Sequence, residues 1–172
     1  MEARRCLVTV GTTRFDALID VLDKNSALVL NALIQLGCNA LEVQIGNGTR
    51  EPNELKDAAK QHNIVFDCYR FNPQLKFRID QSYLVISHAG AGSILETLRA
   101  KKNLIVVVNE DLMDNHQIEL ATALSQQRYL YWSYPRNLLS VLDGARFPLT
   151  PYPEPNSMQF SRLLNDSVGK YF

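Results

Sequence analysis

The residues best suited to chemistry in this chain lie in two polar segments, each of which follows a short apolar run. Residues 88–93 read H-A-G-A-G-S and follow the run 83–87, while residues 109–117 read N-E-D-L-M-D-N-H-Q and follow the run 104–108. A helical pattern follows each segment, so both predict a turn from a strand into a helix. Helix N-termini present unpaired N–H groups and partial positive charge, and such turns therefore favour phosphate binding.

The glycines of the first segment indicate a close approach between backbone and ligand. Gly90 and Gly92 bracket one alanine at a predicted helix start, where glycine permits a tight turn and leaves room for a bound group. The alternative is that they only shape the corner between strand and helix. The pattern favours ligand binding, and a nucleotide or sugar nucleotide is the expected ligand.

Ser93 and Glu96 have two possible roles. They fit the S-x-x-E capping box, in which each side chain caps the backbone N–H of the other residue. A carboxylate near a helix start can also accept hydrogen bonds from a ribose diol. Both interpretations of Glu96 stay open at the level of sequence.

The second polar segment repeats this spacing. Asp114 and Gln117 form D-x-x-Q, which again fits a capping box. Capping does not account for Asn115 and His116, which lie between them and place polar groups in the first helical turn. We therefore expect these side chains to face the same edge of the sheet as the glycine-rich turn.

A third corner lies near the N-terminus, where residues 10–16 read V-G-T-T-R-F-D. Gly11 frees the backbone, and Thr12 and Thr13 add hydroxyl groups. If the first and fourth strands are neighbours, this corner faces the glycine-rich turn across a crevice and the two hold a diphosphate from opposite sides. Asp16 has the simpler explanation of an N-cap for the helix that follows.

Catalytic patterns are weaker. His88 ends a predicted buried strand, where a hydrogen-bonded structural histidine is the more common role than a catalytic base. The sequence has no P-loop, metal-binding cluster or Ser/His/Asp set at a recognisable spacing.

A dinucleotide-binding domain is the competing interpretation, because Glu110 follows Gly90 by 20 residues, but Leu95 replaces the expected third glycine or alanine.

Strand and helix patterns alternate along the chain, which predicts a Rossmann-like, doubly wound and mostly parallel α/β sheet. The predicted strands are 6–10, 41–45, 64–68, 83–87, 104–108 and 129–132. The predicted helices are 16–36 with an interruption at 23–26, 53–61, 73–81, 93–101, 115–125 and 136–142. The region 47–81 has too weak a pattern to fix its strand order.

Composition restricts the class of protein. The chain has 172 residues, enough for one well-buried α/β domain, and a net charge of +0, which argues against non-specific nucleic-acid binding. No apolar run approaches the ~18–20 residues that span a bilayer, and no signal-peptide core is visible. Three widely spaced cysteines, Cys6, Cys38 and Cys68, predict buried thiols in a reducing compartment. A cytosolic protein is expected.

The composition changes near the C-terminus. We expect a nucleotide-binding domain at residues 1–147, followed by a proline-rich strap and an amphipathic helix at 148–172. Residues 148–155 contain four prolines, which favour a stiff, extended connector. Beyond it, Phe160, Leu163, Leu164 and Val168 share one helical face, which either packs on the same domain or docks on another protein.

The chain resembles the C-terminal, donor-binding half of family 28 glycosyltransferases. The motifs that carry the likeness are V-T-V-G-T-T-x-F-D at 8–16, L-V-I-S-H-A-G-A-G-S-I-L-E-T-L-R at 84–99 and L-M-D-N-H-Q at 112–117. The resemblance implies one half of a GT-B enzyme, with the other half supplied by a separate, membrane-anchored partner subunit. It implies transfer of N-acetylglucosamine from UDP-N-acetylglucosamine to a dolichol-linked acceptor at the cytosolic face of the endoplasmic reticulum.

The resemblance also implies roles for individual residues. Glu96 would hold the ribose of UDP, the turn 89–93 would hold the diphosphate with 11–13 opposite, and residues 115–117 would contact the N-acetylglucosamine. In related bacterial enzymes two glutamines occupy the last two of these positions, so His116 departs from that pattern. The implied donor-binding set is Gly11, Thr12, Thr13, His88, Ala89, Gly90, Gly92, Ser93, Glu96, Asn115, His116 and Gln117.

The implied reaction is an inverting displacement that needs no metal ion or cofactor, because backbone donors can stabilise the departing diphosphate. The general base would lie near the acceptor hydroxyl, on the partner side of the cleft. No catalytic residue is therefore assigned in this chain.

Overall fold

One parallel sheet forms the centre of the protein. The computed structural model describes residues 4–111 and 115–154. Six strands lie side by side in the order β3-β2-β1-β4-β5-β6, and every neighbouring pair is parallel. The strands are β1 (Arg5–Thr9), β2 (Ala40–Gln44), β3 (Val65–Tyr69), β4 (Ser82–His88), β5 (Asn103–Val107) and β6 (Tyr131–Ser133).

Helices cover both faces of the sheet, as right-handed crossovers between parallel strands require. The described residues contain seven α-helices and one 3₁₀ turn, Pro135–Asn137. The helices are α1 (Asp16–Lys24), α2 (Ser26–Gln35), α3 (Asn53–Gln61), α4 (Leu75–Asp80), α5 (Ala91–Arg99), α6 (Asn115–Gln126) and α7 (Leu138–Gly144).

Two apolar cores lie on opposite sides of the sheet. One contains Leu18 of α1, Leu30 of α2 and Leu138 of α7, and the other contains Ile79 of α4 and Ile94 of α5, all of them fully buried. Strands buried on both faces explain the near-continuous apolar runs in the sequence. The predicted doubly wound architecture is confirmed, and the sheet is wholly parallel.

The strand order reverses direction between β1 and β4, which places the topological switch point between these two strands. Thr9 of β1 lies opposite Ser87 of β4 in the parallel register. The prediction that the first and fourth strands are neighbours is therefore confirmed. The first corner and the glycine-rich turn consequently leave the sheet side by side.

The predicted break in the first helix is real and occurs at Asn25. This residue has φ −114° and ψ 28°, and its side-chain Nδ2 donates to the Val21 carbonyl at 2.9 Å. The chain resumes a helical path at Ser26, with Val29 N–H donating to the Asn25 carbonyl. The other element boundaries move by a few residues, and the last strand is Tyr131–Ser133 rather than 129–132.

The described part of the proline-rich strap packs against the domain. Thr150 N–H donates to the Arg128 carbonyl at 3.0 Å, and the ring of Tyr152 meets that of Tyr129 edge-on at 5.3 Å. The amphipathic segment at 158–168 lies outside the described residues. None of the helices that the structure describes is long and apolar enough to cross a bilayer.

The three cysteines carry free thiols, as predicted. Cys6 and Cys38 are buried, as predicted, whereas the prediction of burial is wrong for Cys68, which is half-buried. Burial raises the pKa of Cys38 and that of Cys68 to about 11, so both thiols are protonated at neutral pH. We assign them a structural role in packing.

Candidate functional site

Three corners named from the sequence follow three neighbouring strands. The first corner (residues 10–16) follows β1, the second corner (88–93) spans the end of β4 and the start of α5, and the third corner (109–117) follows β5. Because β1, β4 and β5 are adjacent and parallel, their carboxyl ends meet at one edge. This is the edge where ligands bind in open α/β sheets.

His88 joins the first corner to the second. A Cβ atom added at Gly11 would lie 2.8 Å from His88 Cε1, and one added at Gly90 would overlap His88 Nε2. Gly11 also has φ +60°, a conformation that side chains rarely adopt. The imidazole ring therefore occupies the space between two glycines, and the two corners are in close contact.

Burial lowers the pKa of His88 below its usual value, and the nearby Thr9 backbone only partly opposes this effect. The ring is consequently neutral at physiological pH. Its Nδ1 is buried and has no hydrogen-bond partner in the part of the chain that the structure describes. Such a group is either a structural cost or a contact for a ligand or water molecule.

The N-terminus of α5 has open hydrogen-bond donors. The helix begins at Ala91, and its N-cap residue Gly90 provides no side-chain cap. The first intrahelical bond joins Ile94 N–H to the Gly90 carbonyl at 3.0 Å. The N–H groups of Ala91, Gly92 and Ser93 therefore have no acceptor among the described residues, and a Cβ added at Gly92 would enter open space.

This helix start corrects the interpretation of Ser93 and Glu96 as a capping box. The helix begins two residues earlier than predicted, so Ser93 is its third residue and Glu96 lies in the second turn. A capping box needs its serine at the N-cap position, which Gly90 occupies instead. Glu96 is half-buried, and its carboxylate makes no hydrogen bond or ion pair with any residue that the structure describes.

Asp16 is also not an N-cap, because Phe15 holds that position and α1 begins at Asp16. The carboxylate instead accepts hydrogen bonds from Thr49 N–H (2.8 Å), Thr49 Oγ1 (2.9 Å), Arg50 N–H (3.2 Å) and Arg14 Nε (2.7 Å). Burial alone would raise the pKa of Asp16, but these donors outweigh it and lower the pKa to about 2. Asp16 thus ties the first corner to the loop between β2 and α3.

The third corner is only partly described. Asn109 is buried, and its Oδ1 accepts a hydrogen bond from Asp111 N–H at 3.1 Å. Asn115, His116 and Gln117 occupy the first turn of α6, as predicted, with His116 exposed and Gln117 half-buried. The proposed D-x-x-Q box depends on Asp114, which lies outside the described residues.

Glu110, which the dinucleotide interpretation assigned to ribose binding, forms an ion pair with Arg136. The glycine-rich turn follows β4, whereas the dinucleotide fingerprint follows the first strand of its fold. Neither feature favours a dehydrogenase-type site.

Sequence reasoning missed the β2–α3 loop, residues 45–52, as part of this edge. Asn47 N–H donates to the Thr13 carbonyl at 3.1 Å, and Asn47 Nδ2 donates to the Thr12 carbonyl at 2.7 Å. A Cβ added at Gly46 would overlap the Thr13 carbonyl. The G-N-G motif at 46–48 was a visible turn signal, but nothing local indicated which segment it would contact.

The arrangement suits an anion at the crevice. The α5 N-terminus supplies backbone donors on one side, the first corner lies opposite, and Glu96 is placed behind the turn. Within the described residues no group of three or more side chains is suited to hold a metal ion.

Comparison with known proteins identifies the family. Residues 5–165 match the glycosyltransferase family 28 C-terminal domain. The chain belongs to this family. A mouse (Mus musculus) relative, UDP-N-acetylglucosamine transferase subunit ALG13, is 40% identical over 93% of this family 28 chain, although the match covers only 14% of the mouse protein. A relative of the same name from Yarrowia lipolytica is 33% identical, with 95% of this chain and 83% of that protein covered.

Solved structures agree with this family 28 assignment. A solution NMR structure of ALG13 has 27% sequence identity and a TM-score of 0.64, with 98% of both chains covered. MurG from Acinetobacter baumannii has 18% identity and a TM-score of 0.63, and the match covers 83% of this chain and 40% of MurG. The second likeness shows the fold alone. The fold is that of one GT-B half-domain, as predicted.

Proposed function

We propose that this chain is the donor-binding, catalytic subunit of an N-acetylglucosaminyltransferase that uses UDP-N-acetylglucosamine. Two relatives carry the name UDP-N-acetylglucosamine transferase subunit. The observation that carries the proposal is the open N-terminus of α5, which has no side-chain cap and has the unpartnered Glu96 carboxylate one turn behind it. A helix N-terminus of this kind suits a diphosphate, and a carboxylate suits the two hydroxyls of a ribose.

Each corner has a role in this proposal. The N–H groups of Ala91, Gly92 and Ser93 bind the diphosphate, with Gly11, Thr12 and Thr13 opposite. His88, with Ala89 and Gly90, forms the floor between them. Asn115, His116 and Gln117 contact the N-acetylglucosamine.

The reaction in this proposal is an inverting displacement at the anomeric carbon. The acceptor hydroxyl attacks, the bond to the diphosphate breaks, and UDP departs with the developing negative charge. Backbone donors already fixed around that charge stabilise it, so neither a metal ion nor a cofactor is required. The base that takes the acceptor proton lies on the partner subunit.

The partner in this proposal is a membrane-anchored subunit that holds a dolichol-linked N-acetylglucosamine acceptor. The word subunit in the names of the relatives supports a complex. This chain is then a cytoplasmic protein that its partner recruits to the cytosolic face of the endoplasmic reticulum. The product is the second sugar of the lipid-linked oligosaccharide used for protein N-glycosylation.

The test is Glu96→Gln in the reconstituted two-subunit complex. Loss of hydrogen bonds between a charged carboxylate and the ribose, at about 1.5–3 kcal/mol, should raise the KM for UDP-N-acetylglucosamine roughly 10- to 100-fold. Glu54→Gln, which changes an exposed glutamate in the first turn of α3, is the matched control and should leave KM unchanged.

Circular dichroism must show that both variants are folded. The isolated chain should give no turnover, because in this proposal the partner holds the acceptor. Normal KM and kcat in a folded Glu96→Gln complex would remove the ribose role. Saturable amide shifts with NADH and none with UDP-N-acetylglucosamine would instead revive the dinucleotide interpretation.

A further inference from the structure

Three carbonyl groups of the first corner accept hydrogen bonds from one neighbouring segment, the end of β2 and the loop that follows it. The Gly11 carbonyl accepts a hydrogen bond from Gln44 Nε2 at 3.0 Å, and the Thr12 carbonyl accepts one from Asn47 Nδ2 at 2.7 Å. The Thr13 carbonyl accepts one from Asn47 N–H at 3.1 Å. Three consecutive carbonyls are therefore held by donors from β2 and the loop that follows it.

Gln44 is itself fixed. The residue is 3% exposed, and its side-chain Oε1 accepts a hydrogen bond from Thr9 Oγ1 at 3.1 Å. Thr9 Oγ1 also accepts one from Gly11 N–H at 3.1 Å. Because the amide oxygen of Gln44 faces a hydroxyl donor, its NH₂ group must face the Gly11 carbonyl. Both polar backbone groups of Gly11 are thus held by this buried pair.

The N–H groups of Thr12 and Thr13 differ in whether they have an acceptor. Thr13 N–H donates to the Val10 carbonyl at 3.1 Å, whereas Thr12 N–H has no acceptor among the residues that the structure describes. Thr12 N–H shares a peptide plane with the Gly11 carbonyl, and in a trans peptide the two groups point in opposite directions. Since the carbonyl points to Gln44 on β2, the N–H points away from β2. The strand on the other side of β1 is β4.

We propose that Gln44 and Asn47 are positioning residues, which orient the first corner so that Thr12 N–H donates to a diphosphate oxygen of the bound sugar nucleotide. This inference rests on the proposed function and extends it to two residues that do not contact the donor. A buried glutamine and a loop asparagine fix the peptide dipoles before the ligand arrives, so the donor needs no reorganisation when charge develops on the leaving diphosphate.

The test compares Asn47→Ala with Asn53→Ala in the reconstituted complex. Asn53 is an exposed asparagine at the start of α3, outside this hydrogen-bond network. Loss of the bond to the Thr12 carbonyl should raise the KM for UDP-N-acetylglucosamine about five- to tenfold. The KM for the lipid acceptor should stay the same and the melting temperature should fall only slightly, because Asn47 is exposed. Asn53→Ala should change none of the three.

A second readout follows the Thr12 amide by NMR in the complex that contains the ¹⁵N-labelled chain. Titration with UDP should shift this amide strongly in the parent complex and more weakly in Asn47→Ala. Gln44→Met, which keeps the side-chain volume and removes the donor, should act in the same direction; if that variant does not fold, Asn47→Ala decides.

An unchanged donor KM in Asn47→Ala would overturn the positioning role, as would equal increases in both KM values or the same effect from Asn53→Ala. Failure of the proposed function is distinguishable, because the parent complex would then neither bind UDP nor respond to Glu96→Gln.

Discussion

At the level of single residues, the position of the His88 ring explains why positions 11 and 90 are glycines. The imidazole fills the space that Cβ atoms at Gly11 and Gly90 would need, so neither glycine tolerates a side chain unless the ring moves. Burial lowers the pKa of His88, and the neutral ring offers one N–H donor and one acceptor instead of a positive charge. In the proposed donor site, His88 is therefore a neutral contact.

Asp16 leads to a prediction about pH and stability. Its pKa is about 2 in the folded protein against an ordinary value of 3.8, so folding favours the charged form by about 2 kcal/mol. A lowered pKa stabilises the fold above about pH 4, and that stabilisation is lost as the pH falls towards 2. Asp16→Asn should thus lower the free energy of unfolding by up to about 2 kcal/mol at pH 7, with a smaller loss at pH 3.5.

Urea unfolding at pH 7, 5 and 3.5 measures this effect. Thr49→Val removes one hydroxyl donor and keeps the two backbone donors, so it should give a smaller loss. A difference between parent and Asp16→Asn that stays constant over this range would show that the carboxylate is not stabilised by those donors.

At the level of elements, substitutions at the start of α5 distinguish effects on folding from effects on donor binding. Gly90→Ala should destabilise the fold, because the new Cβ would overlap the His88 ring. Gly92→Ala should keep or slightly raise the melting temperature, because its Cβ enters open space and alanine favours a helix. If the diphosphate lies against this turn, Gly92→Ala should nevertheless raise the KM for UDP-N-acetylglucosamine several-fold.

Thermal unfolding together with donor kinetics of the two variants checks this. A Gly92→Ala complex with normal donor KM would mean that the diphosphate does not approach this residue. A Gly90→Ala chain as stable as the parent would mean that the His88 ring moves without cost.

The interactions of Glu42 also connect elements, among them the edge strand β3. Glu42 on β2 is buried, and its carboxylate accepts a hydrogen bond from the Tyr69 hydroxyl at 2.5 Å and lies 3.2 Å from Arg5 Nε and 3.4 Å from Arg78 Nε. These partners belong to β3, β1 and α4. Burial, followed by the nearby Glu42 carboxylate, raises the pKa of Tyr69. A buried charge must be paired, and here its pairing joins four elements.

At the level of the whole molecule, the proposed active site is shared between two chains. The crevice at the switch point opens at the carboxyl edge of the sheet, and we propose that the partner subunit covers this edge. The acceptor and the general base are then contributions of the partner.

The C-terminal segment leads to a prediction at this level. Phe160, Leu163, Leu164 and Val168 form an apolar stripe in the sequence that we expect to dock on the partner. Deletion of residues 155–172 should weaken co-purification with the partner more than it lowers the melting temperature of the chain. Replacing Leu163 and Leu164 with alanine should reproduce the effect, whereas alanine at Gln159 and Asn165 should not. A large fall in melting temperature with normal partner binding would favour packing on the chain's own domain.

Much of the fold followed from local patterns. Apolar runs of four or five residues separated by helical periodicity located the six described strands to within a few residues. Asn25 interrupts the first helix where polar residues break the pattern. Local patterns also located the three corners, because glycines and polar groups mark strand ends. Boundaries were less accurate: the two-residue error at α5 led to a capping box that does not exist.

The sequence by itself therefore determined the class of the fold, the family and the segments that carry polar chemistry, because these depend on residues close together in the chain. Only the tertiary structure decided that β1 lies between β2 and β4, that His88 fills the space between two glycines, and that Asp16 binds Thr49. It also brought Gln44 and Asn47 to the first corner. Apart from that between His88 and Gly90, these contacts join residues more than 30 positions apart, and the position of one strand in a sheet depends on the packing of all the others.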